Sequence, residues 1–164
     1  MSKSEAFLQI WEMEAATTLR VLNAIPEKNT NYKPDPKART GLELAGFVAG
    51  HAPILAMLAE TGEVKGGPMP APKTIKEAIA AFPSALPRAQ KAIRAMDDKT
   101  WDEKVGHLYG PDGKVFMSAP VGALVWSTLF DLIHHRGQLS TYLRPMGGKV
   151  PSIYGPSADD PGKM

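Results

Sequence analysis

Asp131 and His135 stand four residues apart in the run Asp131-Leu132-Ile133-His134-His135-Arg136-Gly137-Gln138. On a helix this spacing puts both side chains on one face, one turn apart. A carboxylate and an imidazole held that way are half of a divalent-metal site, or else a charge-assisted hydrogen bond within one helix. The spacing leaves both open. His51 is the third candidate, on an apolar stripe formed by Leu44, Phe47, Val48, His51, Leu55 and Leu58. A histidine on such a stripe is either a hydrogen-bonded core residue or a ligand. If the three groups meet, they form an Asp/His/His set suited to zinc, nickel or another divalent ion. Three protein ligands leave positions for water, as a catalytic site requires.

Neighbouring residues read differently. His134 points about a hundred degrees away from His135 on the helical wheel and is expected at the surface. His107 has no partner at a telling spacing and is expected to be exposed. Glu12 and Glu14 read as a solvated face. Arg136 reads as a structural ion pair or carbonyl contact rather than an anchor for an anionic substrate. Trp11, Phe47, Trp126 and Phe130 read as packing residues. No phosphate-cradling glycine loop and no nucleophile elbow are present.

Composition narrows the chemistry. The 164 residues contain no cysteine, which excludes disulfides, thiolate ligands and a thiol nucleophile from the protein itself. A metal site is then restricted to His, Asp, Glu and water. Nineteen basic and 17 acidic residues, net +2, are spread along the chain and give no clustered basic face for nucleic acid. No continuous apolar run reaches the roughly 18 residues that span a bilayer. Met1-Ser2-Lys3-Ser4-Glu5 lacks the apolar core of a signal peptide. The expectation is a cytoplasmic protein with neither a nucleic-acid nor a membrane partner.

The elements that must position these residues are helices. Ser2 and Glu5 form a capping-box pattern that opens a helix through Leu8, Trp11, Ala15, Leu19 and Leu22, stopped by Pro26. Thr40 and Glu43 open the helix carrying His51, with a kink expected at Pro53 and a C-cap at Gly62. Thr74 and Glu77 open a third, with a break at Pro83 and Pro87 and Ser84 capping its second half. Between Trp101 and Met117, alternation at Val105, His107 and Tyr109 and the turn Gly110-Pro111-Asp112-Gly113 predict a hairpin or ordered loop. Ser118, with Pro120 just inside, opens the last helix. Pro and Gly cluster from Gly62 to Pro72 and after Pro145, marking loop and tail; Val150, Ile153 and Tyr154 pack the tail's first part on the body. The fold expected is all-α, a four-helix bundle in one domain, 1–164.

These residues carry a resemblance. The run from Asp131 to Gln138, continuing through Leu139-Ser140-Thr141-Tyr142-Leu143-Arg144-Pro145 to Pro151, resembles the end of DinB/YfiT-like proteins. So do Leu22 to Glu27, Tyr32 to Thr40, and Glu43-Leu44-Ala45. The resemblance implies an up-and-down four-helix bundle holding one divalent metal, zinc or nickel, through three residues, and a homodimer. It places two ligands at Asp131 and His135. Its helix-two ligand falls near Phe47, so His51, one turn further on, stands in for it. It further implies a metal-dependent enzyme that transfers a low-molecular-weight thiol to a small electrophilic substrate. The rival is a non-catalytic dimeric stress-response bundle whose metal is absent or structural, a reading favoured by the departure at Phe47.

Overall fold

A computed structural model describes residues 1–65 and 72–162. Helix α1, Lys3–Asn23, begins where Ser2 and Glu5 close a reciprocal cap: Glu5 N–H donates to Ser2 Oγ at 3.2 Å and Ser2 N–H to Glu5 Oε2 at 2.7 Å. Helix α2, Gly41–Ala49, starts with the same device at Thr40 and Glu43. Caps of this kind are worth about 1 kcal/mol each. Helix α3 is His51–Thr61, strand β1 is Glu63–Lys65, and helix α4 is Ile75–Arg94. Then come α5, Asp98–Glu103, the strands β2, Val105–Tyr109, and β3, Val115–Pro120, and the long helix α6, Val121–Leu143.

Four helical columns surround the core: α1, the pair α2–α3, α4 and α6. Both α1 and α2–α3 pack on α4 and on α6. Phe7, Trp11 and Phe82 are fully buried between them. The bundle is as expected, but the chain is not all-α. A three-stranded sheet, in the order β1-β2-β3, lies at one end. The hairpin β2–β3 is the expected one, turning at Gly113 with φ of 74°. Strand β1 was not anticipated. It pairs parallel to β2, Glu63 opposite His107. Three residues are too few for alternation to show, and the partner is more than forty residues away.

Other expectations need correcting. Helix α4 runs unbroken through Pro83 and Pro87. The two prolines are four apart and both exposed, so each lost N–H bond lies on the solvent face, where water can satisfy the freed carbonyl. Ser84 caps nothing; its hydroxyl donates back to the Ala81 carbonyl at 3.1 Å. Thr74 caps α4, but Glu77 reaches the Lys73 N–H instead of closing a reciprocal pair. Ser118 lies within β3, and α6 starts at Val121 after Pro120 with no side-chain cap. The indole of Trp101, on the unforeseen α5, lies so close to Gly122 that a Cβ there would fall 2.1 Å from its Nε1. Phe130 is 62% exposed and stacks on Trp126 rather than filling the core. The stretch Gly41–Thr61 is long and apolar enough to cross a bilayer, contrary to expectation, but most of it is buried inside the bundle. Of the Gly62–Pro72 segment, residues 66–71 lie outside those described. The tail packs through the partly buried Val150 and Ile153, whereas Tyr154, expected to pack with them, is 71% exposed and reaches the body through its hydroxyl on Arg136 and Glu14.

Candidate metal centre

The helix of residues 41–61 breaks at Gly50, three residues before the expected kink. Pro53 has no N–H for the Ala49 carbonyl and its ring crowds it, so the chain restarts as a new helix in which Pro53 sits in the first turn. His51 is the first residue of that new helix. Its ring folds back onto the last turn of α2, with Nδ1 3.0 Å from the Phe47 carbonyl and 3.1 Å from that of Val48. Carbonyls only accept, so Nδ1 carries the hydrogen. Nε2 then faces across to α6 and lies 2.9 Å from Asp131 Oδ2.

The second imidazole is arranged the same way. His135 Nδ1 lies 2.8 Å from Gln138 Oε1, which accepts its hydrogen, and Nε2 is 3.3 Å from Asp131 Oδ1. The amide of Gln138 is held from the other side, donating to His134 Nε2 at 3.0 Å. Two imidazoles thus point Nε2 at the two oxygens of one carboxylate. A neutral ring with hydrogen on Nδ1 offers only a lone pair at Nε2, and a lone pair facing a carboxylate oxygen is repelled. Positive charge resolves this: either a proton on each ring or a cation shared among the three groups.

The structure therefore brings His51, Asp131 and His135 together, the three residues singled out in the sequence. His51 is 2% exposed and His135 15%, whereas Asp131 is 51% exposed. The carboxylate bridges the rings directly, and among the described residues no group of three or more His, Asp or Glu side chains is placed to hold a metal ion. The donor chemistry nonetheless fits a divalent ion. Two Nε2 atoms and a carboxylate are a common set for zinc or nickel. Each Nδ1 is committed to an acceptor, the outer contact that orients ligating histidines.

Phe47 is more than packing. Its ring meets His51 edge-on at 5.3 Å and His135 at 4.7 Å, and the Arg39 guanidinium lies 4.2 Å over it. Cavities open on both flanks of this group. One, of about 330 Å3, is apolar and lies between α2–α3, the hairpin and α6, with Ile54, Leu108, Phe116 and Met117 beside His51 and Asp131. The other, about 1010 Å3, is an open cleft past His135, walled by Lys37, Arg39, Gln138 and Tyr142. Sequence reasoning gave Gln138 and Phe47 no part in the site. The signal was present: Gln138 is three and four residues from the two histidines, and Phe47 is four before His51.

Other assignments changed. His134 is at the surface as expected, but bonded to Gln138. His107 has a partner, Ser118 Oγ at 2.9 Å. Arg136 is buried and structural, as read: it pairs with Glu14 Oε2 at 2.6 Å and donates to the Thr18 hydroxyl and Glu14 carbonyl at 3.2 Å each. Glu14 is accordingly not part of a solvated face but 8% exposed; Glu12, 51% exposed, faces Arg94.

The sequence matches the DinB family over residues 1–162. The chain belongs to the DinB family. It is 23% identical over 156 residues to the uncharacterized protein YrdA of Bacillus subtilis, covering 94% of this chain and 89% of that one. Among solved structures, a DinB-like protein from Bacillus cereus superposes with a TM-score of 0.71 at 22% identity, covering 92% of this chain and 97% of its own. The DinB-like YjoA of Bacillus subtilis gives 0.59 at 16% identity, covering 82% and 88%. These likenesses establish the DinB-like fold.

Proposed function

We propose that this DinB-family protein is a divalent-metal-dependent enzyme that joins a low-molecular-weight thiol to a small electrophile. The observation that carries it is the pair of imidazoles whose Nδ1 atoms are committed to acceptors, so that both Nε2 atoms converge on Asp131. His51, Asp131 and His135 would hold the ion. A bound zinc or nickel ion supplies Lewis acidity, which makes a thiol reactive as thiolate near neutral pH. The chain has no cysteine, so the sulfur must come from outside. The other residues bind and orient. Gln138 and the carbonyls of Phe47 and Val48 fix the rings, Phe47 shields them from solvent, and the apolar cavity takes the electrophile beside Asp131. The new bond joins sulfur to carbon, with the thiol proton passing to solvent and the leaving group keeping its electron pair. A single bundle, acting as a homodimer in the cytoplasm, is the form proposed.

The direct contact of the carboxylate with both rings favours a second reading, a proton-linked structural triad without metal or catalysis. Metal analysis of untagged protein separates the two. The first reading expects one divalent ion per chain, lost on chelation, and its loss in Asp131→Asn and His135→Ala together with metal-dependent consumption of a thiol by 1-chloro-2,4-dinitrobenzene. Substoichiometric metal, melting unchanged by chelator and no metal-dependent rate with any common cellular thiol would leave the structural triad.

A further inference from the structure

The cleft past His135 differs in character from the apolar cavity on the opposite flank. Lys37 and Arg39 contribute to its wall, together with the half-polar surface of His134, Gln138 and Tyr142, and no Asp or Glu side chain lines it. The nearby carboxylates Asp35 and Glu43 accept backbone N–H groups, and the Thr40 N–H, helped by the charges of Lys33 and Arg39, holds the Glu43 carboxyl below its usual value. Asp35 accepts the Lys37 backbone N–H at 2.8 Å, and Glu43 closes the α2 cap on Thr40. Among the described residues neither the Lys37 ammonium nor the Arg39 guanidinium has a carboxylate within ion-pair distance.

Arg39 and Lys37 are both exposed, but Arg39 has a support. Its guanidinium carbon lies over the Phe47 ring, 4.2 Å from the centroid. Its backbone carbonyl accepts the Tyr142 hydroxyl at 3.2 Å, and the next turn of chain is tied down by Gly41 N–H on the Tyr32 carbonyl at 2.9 Å. A guanidinium carried on an aromatic ring can still present edge N–H groups, which receive a carboxylate through two parallel hydrogen bonds. The ring that supports it is the ring that abuts His51 and His135.

We propose that this cleft is a binding site for a small carboxylate anion, held by Arg39 with Lys37 and leading to His135. Resting on the function proposed above, that anion is the carboxylate end of the thiol co-substrate, whose sulfur is delivered to the Asp131 side. Cleft and cavity then sort the two reactants by chemistry, the charged thiol on one flank and the apolar electrophile on the other.

The probes are succinate, mercaptosuccinate, neutral 2-mercaptoethanol and inorganic phosphate, titrated calorimetrically and by amide NMR into untagged protein with and without metal. Succinate should bind in both forms and shift the amides of Gln138 and Tyr142. Arg39→Gln should weaken it on the order of tenfold or more, the worth of a charge-assisted pair. Arg39→Lys should recover only part of that, and Lys37→Gln should cost several-fold, while metal content stays that of the parent. Mercaptosuccinate should bind more tightly than 2-mercaptoethanol. Absence of succinate binding at millimolar concentration, equal binding by the Arg39→Gln, Lys37→Gln double variant, or displacement by lower concentrations of phosphate would overturn the carboxylate site. Because the succinate arm needs no metal, it fails independently of the metal analysis.

Discussion

His135 and Arg136 are consecutive on α6, yet they serve two polar clusters of opposite character. Arg136 turns inward, 1% exposed, and its guanidinium meets Glu14, Thr18 and, at 2.6 Å, the Tyr154 hydroxyl. Tyr154 passes its own hydrogen to Glu14 at 3.0 Å. Every donor named there faces an acceptor. One residue earlier, His135 joins His51 in turning Nε2 toward a carboxylate, with cavities on either side. A saturated network fixes a fold, whereas two ring nitrogens turned on one carboxylate need a proton on each ring or a shared cation. The difference lies in how hydrogen-bonding capacity is matched rather than in residue type, since each cluster pairs a carboxylate with a basic side chain of α6.

The widest separation of the two clusters should come from Arg136→Met. Leaving Glu14 buried and unpaired costs about 3–5 kcal/mol, read as a fall in the denaturation midpoint. Adding Glu14→Leu should restore most of it, because a packed apolar pair is often as stable as a buried ion pair. Metal bound by the folded protein should stay the same. A mild single variant would mean that the ion pair is not the structural clamp described.

Gln138→Leu sharpens the comparison from the other side. Freeing His135 Nδ1 should weaken metal binding about 10–100-fold, as loss of an outer partner does, and shift the unfolding midpoint of metal-free protein by no more than about 0.5 kcal/mol. Competition with a chromophoric chelator measures the first. Unchanged affinity would remove Gln138 from the site.

The smallest effect expected is a pH dependence confined to the tail that carries Tyr154. Backbone N–H donors hold two tail carboxyls below the usual aspartate value of 3.8: Val150, aided by Arg144, on Asp159, and Ser152 and Gly162 on Asp160. Depressed values mean that this contribution is complete above the ordinary value and lost as pH falls through the lower folded one. Amide resonances of Val150 and Ser152 should therefore move in acid before the bundle melts. Resonances that change only with global unfolding would show that the tail does not dock through these groups.

Much of this was legible because it is local. Ser2 with Glu5, Thr40 with Glu43, and Asp131 with His135 act across three or four residues, where helical geometry is decided. His51 could be chosen because a polar ring on an apolar stripe needs a partner. Glu14 was misread because its partner lies 122 residues away, and no periodicity in α1 marks a carboxylate that faces inward. Strand β1 exists only through its pairing with β2. Pro83 and Pro87 misled because their consequence depends on which face is wet, a property of the packed bundle rather than of the segment.

Helix α3 begins at His51 and is capped after Thr61 by Gly62, whose carbonyl accepts the His107 N–H at 2.8 Å. The first turn of α3 carries both His51 and Ile54 into the wall of the apolar cavity, across from Leu108, Phe116 and Met117 of the hairpin. By whatever factor an apolar molecule against the hairpin changes the hold on a cation at His51, the cation changes the hold on that molecule by the same factor.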